Sequence, residues 1–460
     1  MNLYRPSYHF LPEKNWMNDP NGVIYYKGEY HLFYQYNPYG SQWGNMHWGH
    51  AKSKDLVHWK HLPLALYPSK EQGEVHCFSG CTVIDGEKPT IFYTSIGEGE
   101  RNPEIGAEQW AAVSEDDMLT WKKCKENPVI TSKIHGDIEI KHWRDPFVWK
   151  ENEEWFMVLG GSHNNKGCTL IYKSKDLKSW EFLNILCEGE HILWECPNFF
   201  KLGNKYVLII SPDGQVEYYI GTLSSDYKFI PEFKGILDYG GWDGFYAPNS
   251  LVDDTGRRIM IGWMPEHSRE SFDECGDWAG VQSLPRTLEI ENNILHIKPV
   301  KELESLRKTH EKYENFALES TLVPKIKGKA LELIIEAEVE NDTCFSIDVL
   351  SSQDGEEKTS IKYEYADKSF YIDRSKSSVS DKCRKSPVKG NVELREGNML
   401  KLQIFVDYST IEVFANDEKV ISGRVYPVRE ESENVKISLL KGKKLKVKSF
   451  DIWNVASILE

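Results

Sequence analysis

Over roughly the first 300 residues, short apolar runs alternate with polar positions and come in pairs joined by turn residues, the signature of strand–turn–strand units. Five of these units share one plan: NDPNGVIYYKGEYHLFYQ (18–35), FSGCTVIDGEKPTIFYTS (78–95), RDPFVWKENEEWFMVLGG (144–161), ECPNFFKLGNKYVLIISP (195–212) and YAPNSLVDDTGRRIMIGW (246–263). Each sets a polar residue near a proline or glycine, then an apolar strand, a turn and a second strong strand. Their starts lie about 50 to 66 residues apart, the period of a propeller blade. A second motif echoes the first: SKDLVHW (53–59), SEDDMLTW (114–121) and SKDLKSW (174–180), with LSSDYKF (223–229) a weaker fourth copy. Its Asp suits a strand connection and its Trp suits packing between blades, so we read it as structural. Two motifs repeating in register predict a five-bladed β-propeller over residues 1–297.

The pattern then changes. PVKELESLRKTHEKY (299–313) reads as a helix, with Pro299 at its start and Leu303 and Leu306 three apart, in a linker over 298–314. Beyond it, LELIIEAEVE, FSIDVLSS, TSIKYEY, MLKLQIFVDYSTIEVFAND and NVKISLL alternate as short strands, which predicts a β-sandwich over 315–460. The lysine-rich KGKKLKVKS (441–449) reads as an edge strand of that sandwich, its charges opposing aggregation. The expected fold is all-β: a five-bladed propeller followed by a C-terminal sandwich.

Composition sharpens this division. Fourteen of the fifteen tryptophans lie at or before Trp278, so the two halves are built from different residues. A net charge of −15 disfavours nucleic acid and anionic membranes as partners and says little about neutral sugars. The nine cysteines form no C-x-x-C pair and read as buried thiols of a reducing compartment. MNLYRPSYHFLPEKNW has no apolar run of signal-peptide length, so a cytoplasmic protein is expected.

In a propeller the innermost strand of each blade lines the axis, and equivalent strand openings converge at one end of the funnel. Here those openings carry Asp19, Ser79, Asp145, Glu195 and Tyr246. Asp19-Pro20-Asn21-Gly22 reads as a tight turn that aims Asp19 down the axis. Three converging carboxylates repel one another and resist burial, so they imply chemistry. One reading is a hard-cation site such as Ca²⁺, but no Asp-x-Asp cluster accompanies them and Arg144 adjoins Asp145. The other is glycoside hydrolysis by a carboxylate pair. Trp16, Trp43, Trp48, Trp194, Trp242 and Trp263 near the openings offer faces for sugar rings, and Asn18, Gln35, Asn45 and Asp243 offer hydroxyl-binding groups. Trp194 and Cys196-Pro197 make an apolar setting expected to keep Glu195 protonated, and turn N–H groups are expected to hold Asp19 ionised. His9, His31, His47, His50 and His76 read as structural, although His47 and His50 stand nearest the rim, where one could meet a leaving-group sugar.

NWMNDPNG, the downstream RDP and EC motifs, FSG (78–80), WDGFYAP (242–248) and VDYSTIEVFAND (406–417) together resemble glycoside hydrolase family 32, the β-fructosidases, over nearly the whole chain. The resemblance implies a propeller followed by a sandwich, with Asp19 as nucleophile at the anomeric carbon of a terminal fructofuranosyl unit. It implies Glu195 as acid/base and Asp145 as transition-state stabiliser, oriented by Arg144. Retention by double displacement would follow, with the Asp19 and Glu195 carboxyls about 5–5.5 Å apart. The implied fructose pocket comprises Asn18, Gln35, Trp43, Phe78, Ser79 and Trp263, together with Asp243 and Tyr246. No metal or organic cofactor is implied. GEVHCFSGC (73–81) departs from the family's glycine-containing loop, and SIGEGERNPEIGAEQW (95–110) is long and charged; both bear on the leaving group. Sucrose or short fructo-oligosaccharides are the expected substrates. Sucrose-6-phosphate hydrolysis, fructosyl transfer to a sugar acceptor and an inactive sugar-binding propeller stay open, as does pairing of sandwich faces into a homo-oligomer.

Overall fold

A computed structural model describes residues 3–98, 107–266 and 277–458. The charged stretch expected at 95–110 therefore lies, for residues 99–106, outside the described residues. The architecture is all-β, a five-bladed propeller and a β-sandwich. No helix among the described residues is long and apolar enough to cross a membrane. The chain packs as two compact units: Pro12–Leu237 with Tyr246–Trp263, and Met1–Leu11 with Asp238–Phe245 and Met264–Glu460.

In the first of these units, four blades are four-stranded antiparallel meanders. They comprise β1 (Asn15–Tyr26), β2 (Glu29–Asn37), β3 (His47–Ser53) and β4 (Trp59–Leu66); β5 (Glu74–Asp85), β6 (Lys88–Gly97), β7 (Glu108–Val113) and β8 (Lys122–Lys123); β9 (Lys141–Glu151), β10 (Glu154–His163), β11 (Lys166–Ser174) and β12 (Trp180–Glu188); and β13 (Trp194–Leu202), β14 (Lys205–Pro212), β15 (Val216–Leu223) and β16 (Phe229–Asp238). The fifth repeat opens with β17 (Tyr246–Val252) and β18 (Arg258–Met264). Blades stack face to face. Phe33 and Trp48 of one blade share a buried cluster with Ile91, Tyr93 and Trp110 of the next. Phe92 and Ala111 in turn pack with Trp143, Trp155 and Met157 of the third. Aromatic side chains fill the wedge between diverging sheets, each burying a large apolar area, which is why this half holds the tryptophans.

The echoed motif is structural. Asp55 Oδ1 accepts from the backbone N–H of Val57 and His58 at 3.0 and 2.8 Å, and Asp176 Oδ1 accepts from Lys178 and Ser179 at 2.9 and 2.8 Å. Leu56 and Leu177 between them take positive φ and are buried. Trp59 and Trp180 donate their indole N–H to the carbonyls of those leucines.

The second unit holds two six-stranded sheets. One runs Arg307–Leu318, Leu445–Val455, Ala330–Glu338, Met399–Asp407, Thr410–Ala415 and Lys419–Arg424. The other runs Thr321–Leu322, Asn434–Lys441, Cys344–Ser351, Thr359–Glu364, Ser369–Asp373 and Val388–Asn391. Two expectations need correction here. Residues 299–313 form no long helix: Lys301–Leu306 is a 3₁₀ turn burying Leu303 and Leu306, and an edge strand follows at once. A three-residue apolar spacing fits a 3₁₀ helix as well as an α-helix. Nor is the lysine-rich segment an edge. Leu445–Val455 pairs on both sides, with Arg307–Leu318 and Ala330–Glu338, and its lysines occupy the solvent-facing positions. Alternating charge shows which face of a strand is wet, not where in the sheet the strand lies.

Buried charge ties this unit together. Arg286 pairs with Asp238 at 2.8 Å and with Glu412, and it donates to Ser422 at 2.8 Å. His9 lies between Asp407 and Glu412, at 2.9 and 3.1 Å. His9 is thus structural, as expected.

Candidate active site

The five inner strands share a defect. Each interrupts its ladder at an equivalent place, leaving unpaired Asn18-Asp19, Phe78-Ser79, Asp145-Pro146, Cys196-Pro197 and Ala247-Pro248. These are β-bulges, which re-aim side chains where a flat strand would point them into a neighbouring blade. Asp145, Cys196 and Ala247 adopt φ of 66°, 45° and 46° there, a conformation costing on the order of 1–3 kcal/mol each. The tight turn expected at 19–22 is absent, because Asp19-Pro20-Asn21-Gly22 runs inside β1, with a second irregularity between Asn21 and Ile24. Asp19 reaches the axis from a bulge. Ladder register separates the openings into two sets: Arg144, Glu195 and Tyr246 are the last paired residues before the bulge, whereas Asp19, Ser79 and Asp145 lie within it.

Contacts follow that division. Glu195 Oε1 accepts from Arg144 Nη2 at 2.7 Å, and its Oε2 lies 2.7 Å from the Tyr246 hydroxyl. Asp19 Oδ2 accepts from the Ser79 hydroxyl at 2.6 Å, and its Oδ1 accepts from the Asn18 amide at 3.1 Å. Asp145 Oδ2 accepts from the backbone N–H of Cys196 at 3.0 Å. The Asp145 N–H donates to Thr94 Oγ1 at 3.0 Å. The Cys196 thiol lies 3.5 Å from Asp19 Oδ2 and 3.6 Å from Asp145 Oδ2, so a single sulfur bridges two carboxylates. Its place between Glu195 and Pro197 was visible in the sequence, but only the bulge reveals where it points.

Two electrostatic expectations change. Glu195 does not sit in an apolar setting; it is ion-paired with Arg144, whose Nε is 3.8 Å from Asp145, so the guanidinium serves Glu195 more closely than Asp145. Asp19 is not held by turn N–H groups. Burial is the largest influence on it and raises its pKa, the Glu195 charge adds to that, and the Ser79, Asn18 and Cys196 hydrogen bonds offset part. Burial also pushes Asp145 up to about 7 against the attraction of Arg144. Among the described residues, no group of three or more His, Cys, Asp or Glu side chains is arranged to hold a metal ion.

Of the expected pocket, Asn18, Ser79, Arg144 and Tyr246 touch the carboxylates directly. Asn18 also accepts from the Trp16 indole at 2.7 Å, and Trp16 meets Trp263 edge-to-face at 5.9 Å. Gln35 is buried and donates to the Cys77 carbonyl at 3.0 Å. Trp43 meets Phe78 edge-to-face at 6.2 Å. Asp243 belongs to the other unit, where it pairs with Arg374 at 3.2 Å and Arg384 at 2.6 Å. Of the two rim histidines, His50 is buried between Phe33 and His31, and His47, also buried, packs against the exposed rings of Tyr39 and Tyr67.

A buried carboxylate, Asp145, and two partly buried ones, Asp19 and Glu195, gathered around an arginine suit attack on a sugar's anomeric carbon better than cation binding, which the guanidinium opposes. Comparison with known proteins agrees. The model of the glycosyl hydrolases family 32 N-terminal domain matches residues 9–299, and that of the family's C-terminal domain matches 302–454. A sucrose-6-phosphate hydrolase of Zymomonas mobilis is 34% identical, across 98% of this chain and 90% of its own. A levanase of Bacillus subtilis is 36% identical, across 98% of this chain and 70% of its own. Among solved structures, fructan 1-exohydrolase IIa of Cichorium intybus in complex with 1-kestose superposes with a TM-score of 0.88 at 27% identity, across 99% of this chain and 98% of its own. The chain belongs to glycosyl hydrolase family 32.

Proposed function

We propose that the protein is a retaining β-fructofuranosidase that releases terminal β-D-fructofuranosyl units from sucrose or short fructo-oligosaccharides. Asp19 attacks the anomeric carbon and Glu195 protonates the leaving oxygen, then activates water. Asp145 receives fructose hydroxyls and stabilises the oxocarbenium-like transition state. The observation carrying this reading is the clustering of Asp19, Asp145 and Glu195 around Cys196 and Arg144 at the propeller axis.

Tyr246 supports the role of Glu195. Its hydroxyl lies 2.7 Å from Glu195 Oε2 and 2.9 and 3.0 Å from the carbonyls of Ser211 and Pro212. One hydroxyl proton cannot serve three acceptors. When it goes to a carbonyl, the Tyr246 oxygen accepts a proton carried on Glu195, which gives the general acid a place to hold what it later delivers. Asn18, Gln35, Trp43, Phe78, Ser79 and Trp263 bind the fructosyl ring. The described cysteines are all free thiols, which fits a cytoplasmic setting.

Hydrolysis of sucrose-6-phosphate is a second reading, favoured by similarity to the Z. mobilis protein of that name. Chromatography of products from sucrose, sucrose-6-phosphate, kestose, inulin and levan tests both. Free fructose from sucrose or kestose supports the first reading, and exclusive dependence on the phosphate moves the assignment to the second. Products longer than the substrate indicate transfer, and no cleavage refutes all enzymatic readings.

A further inference from the structure

Strand direction puts several connections on the same face as the openings. Because β1 and β5 begin at the mouth, β2 ends, β3 begins and β4 ends there too. Among the described residues only four aromatic side chains are strongly exposed, and three gather on these connections: Tyr39 (73%), Trp43 (55%) and Tyr67 (55%). Exposed apolar side chains on an ordinary surface are scattered singly. These rings instead form two touching groups. Phe78 contacts Trp43 at 6.2 Å and His76 at 5.7 Å, and Trp43 contacts His76 at 5.5 Å. His47 contacts Tyr39 at 5.7 Å and Tyr67 at 6.0 Å. The groups adjoin, since the Met46 N–H, next to His47, donates to His76 Nδ1 at 3.1 Å.

We propose that Tyr39 and Tyr67, braced by the buried ring of His47, form a shelf for the second and later sugar units of a neutral oligosaccharide leaving group, continuous with Trp43 and Phe78. The proposal rests on the fructosidase reading. If the terminal fructosyl ring occupies the carboxylate centre, whatever projects past Phe78 towards the mouth belongs to the leaving group. Sugars present C–H faces that pack on aromatic rings, and both connections are already fixed, so little ordering is needed on binding. Asn15 donates to the Pro38 carbonyl at 2.8 Å, Trp16 N–H donates to the Gly40 carbonyl at 3.0 Å, and Lys123 donates to the Tyr67 carbonyl at 2.6 Å. The Lys123 ammonium is also bonded to buried Glu74. Burial lowers the pKa of His47 and of His76, so these rings add no charge near neutral pH. The shelf suits a neutral chain.

Steady-state kcat/KM on sucrose, kestose and nystose for wild type, Tyr39→Ala, Tyr67→Ala and the double alanine variant tests this. Both tyrosines are exposed and leave the carboxylate centre untouched. The double variant should lose roughly three- to tenfold on kestose and nystose, with sucrose changing less than about twofold. Tyr39→Phe with Tyr67→Phe should restore the oligosaccharide values, because the ring face and not the hydroxyl carries the contact. Equal losses on all three substrates, or no loss on any, overturn the shelf while leaving the fructosidase reading intact. A wild type that cleaves none of them overturns both.

Discussion

Replacing Asp145 by asparagine should stabilise the propeller while abolishing activity. Burial, reinforced by the charges of Glu195 and Asp19, raises the Asp145 pKa from 3.8 to about 7. A carboxyl with a raised folded-state pKa binds more protons folded than unfolded between those values, so stability falls as pH rises through that window. The penalty is absent below pH 4 and complete above pH 7. The gap between 3.8 and about 7 corresponds to about 4 kcal/mol. Attraction to Arg144 and the Cys196 N–H bond are already included, since both oppose the shift. Asparagine keeps the shape and an oxygen for the Cys196 N–H but cannot ionise, so Asp145→Asn escapes the penalty. Tryptophan fluorescence during heating reports mainly on the propeller, because fourteen of fifteen tryptophans lie at or before Trp278. At pH 8 the variant should unfold at least ~8 °C above wild type, the gap closing towards pH 4. Equal midpoints at pH 8, or parallel pH profiles, would refute the assignment of Asp145 as a carboxylate ionised at a cost to stability.

Two further outcomes follow from named contacts. Tyr246→Phe removes the hydroxyl beside Glu195, and kcat on sucrose should fall about tenfold, with a smaller loss on substrates whose leaving group needs no proton; equal losses would count against a role in holding the acid's proton. Arg286→Met leaves Asp238 and Glu412 without their buried cation and should cost about 3–5 kcal/mol, read as a lowered unfolding midpoint of the second unit.

Much of the fold was legible because strand alternation and inter-blade tryptophans are local signals that repeat. The bulges were not, since Asp-Pro-Asn-Gly satisfies the chemistry of a tight turn as well as that of a bulged strand. What decides is pairing across β2, where Pro20 faces Tyr34 and Asn21 faces Phe33. The three carboxylates were recognisable from their places in the repeats, but their electrostatics were not. The residues flanking Glu195 suggested an apolar site, while Arg144 and Tyr246, which govern it, lie 51 residues away on either side. The bridging contacts of Cys196 were hidden for a similar reason: its neighbours, Asp19 and Asp145, come from other blades.

The stereochemistry of the first product formed tests the central claim most directly. Nuclear magnetic resonance spectra taken in the first moments of sucrose cleavage distinguish β- from α-fructofuranose before mutarotation mixes them. Attack by Asp19 followed by water guided by Glu195 predicts β-fructofuranose first. Initial release of the α-anomer would show single displacement and remove Asp19 as the nucleophile.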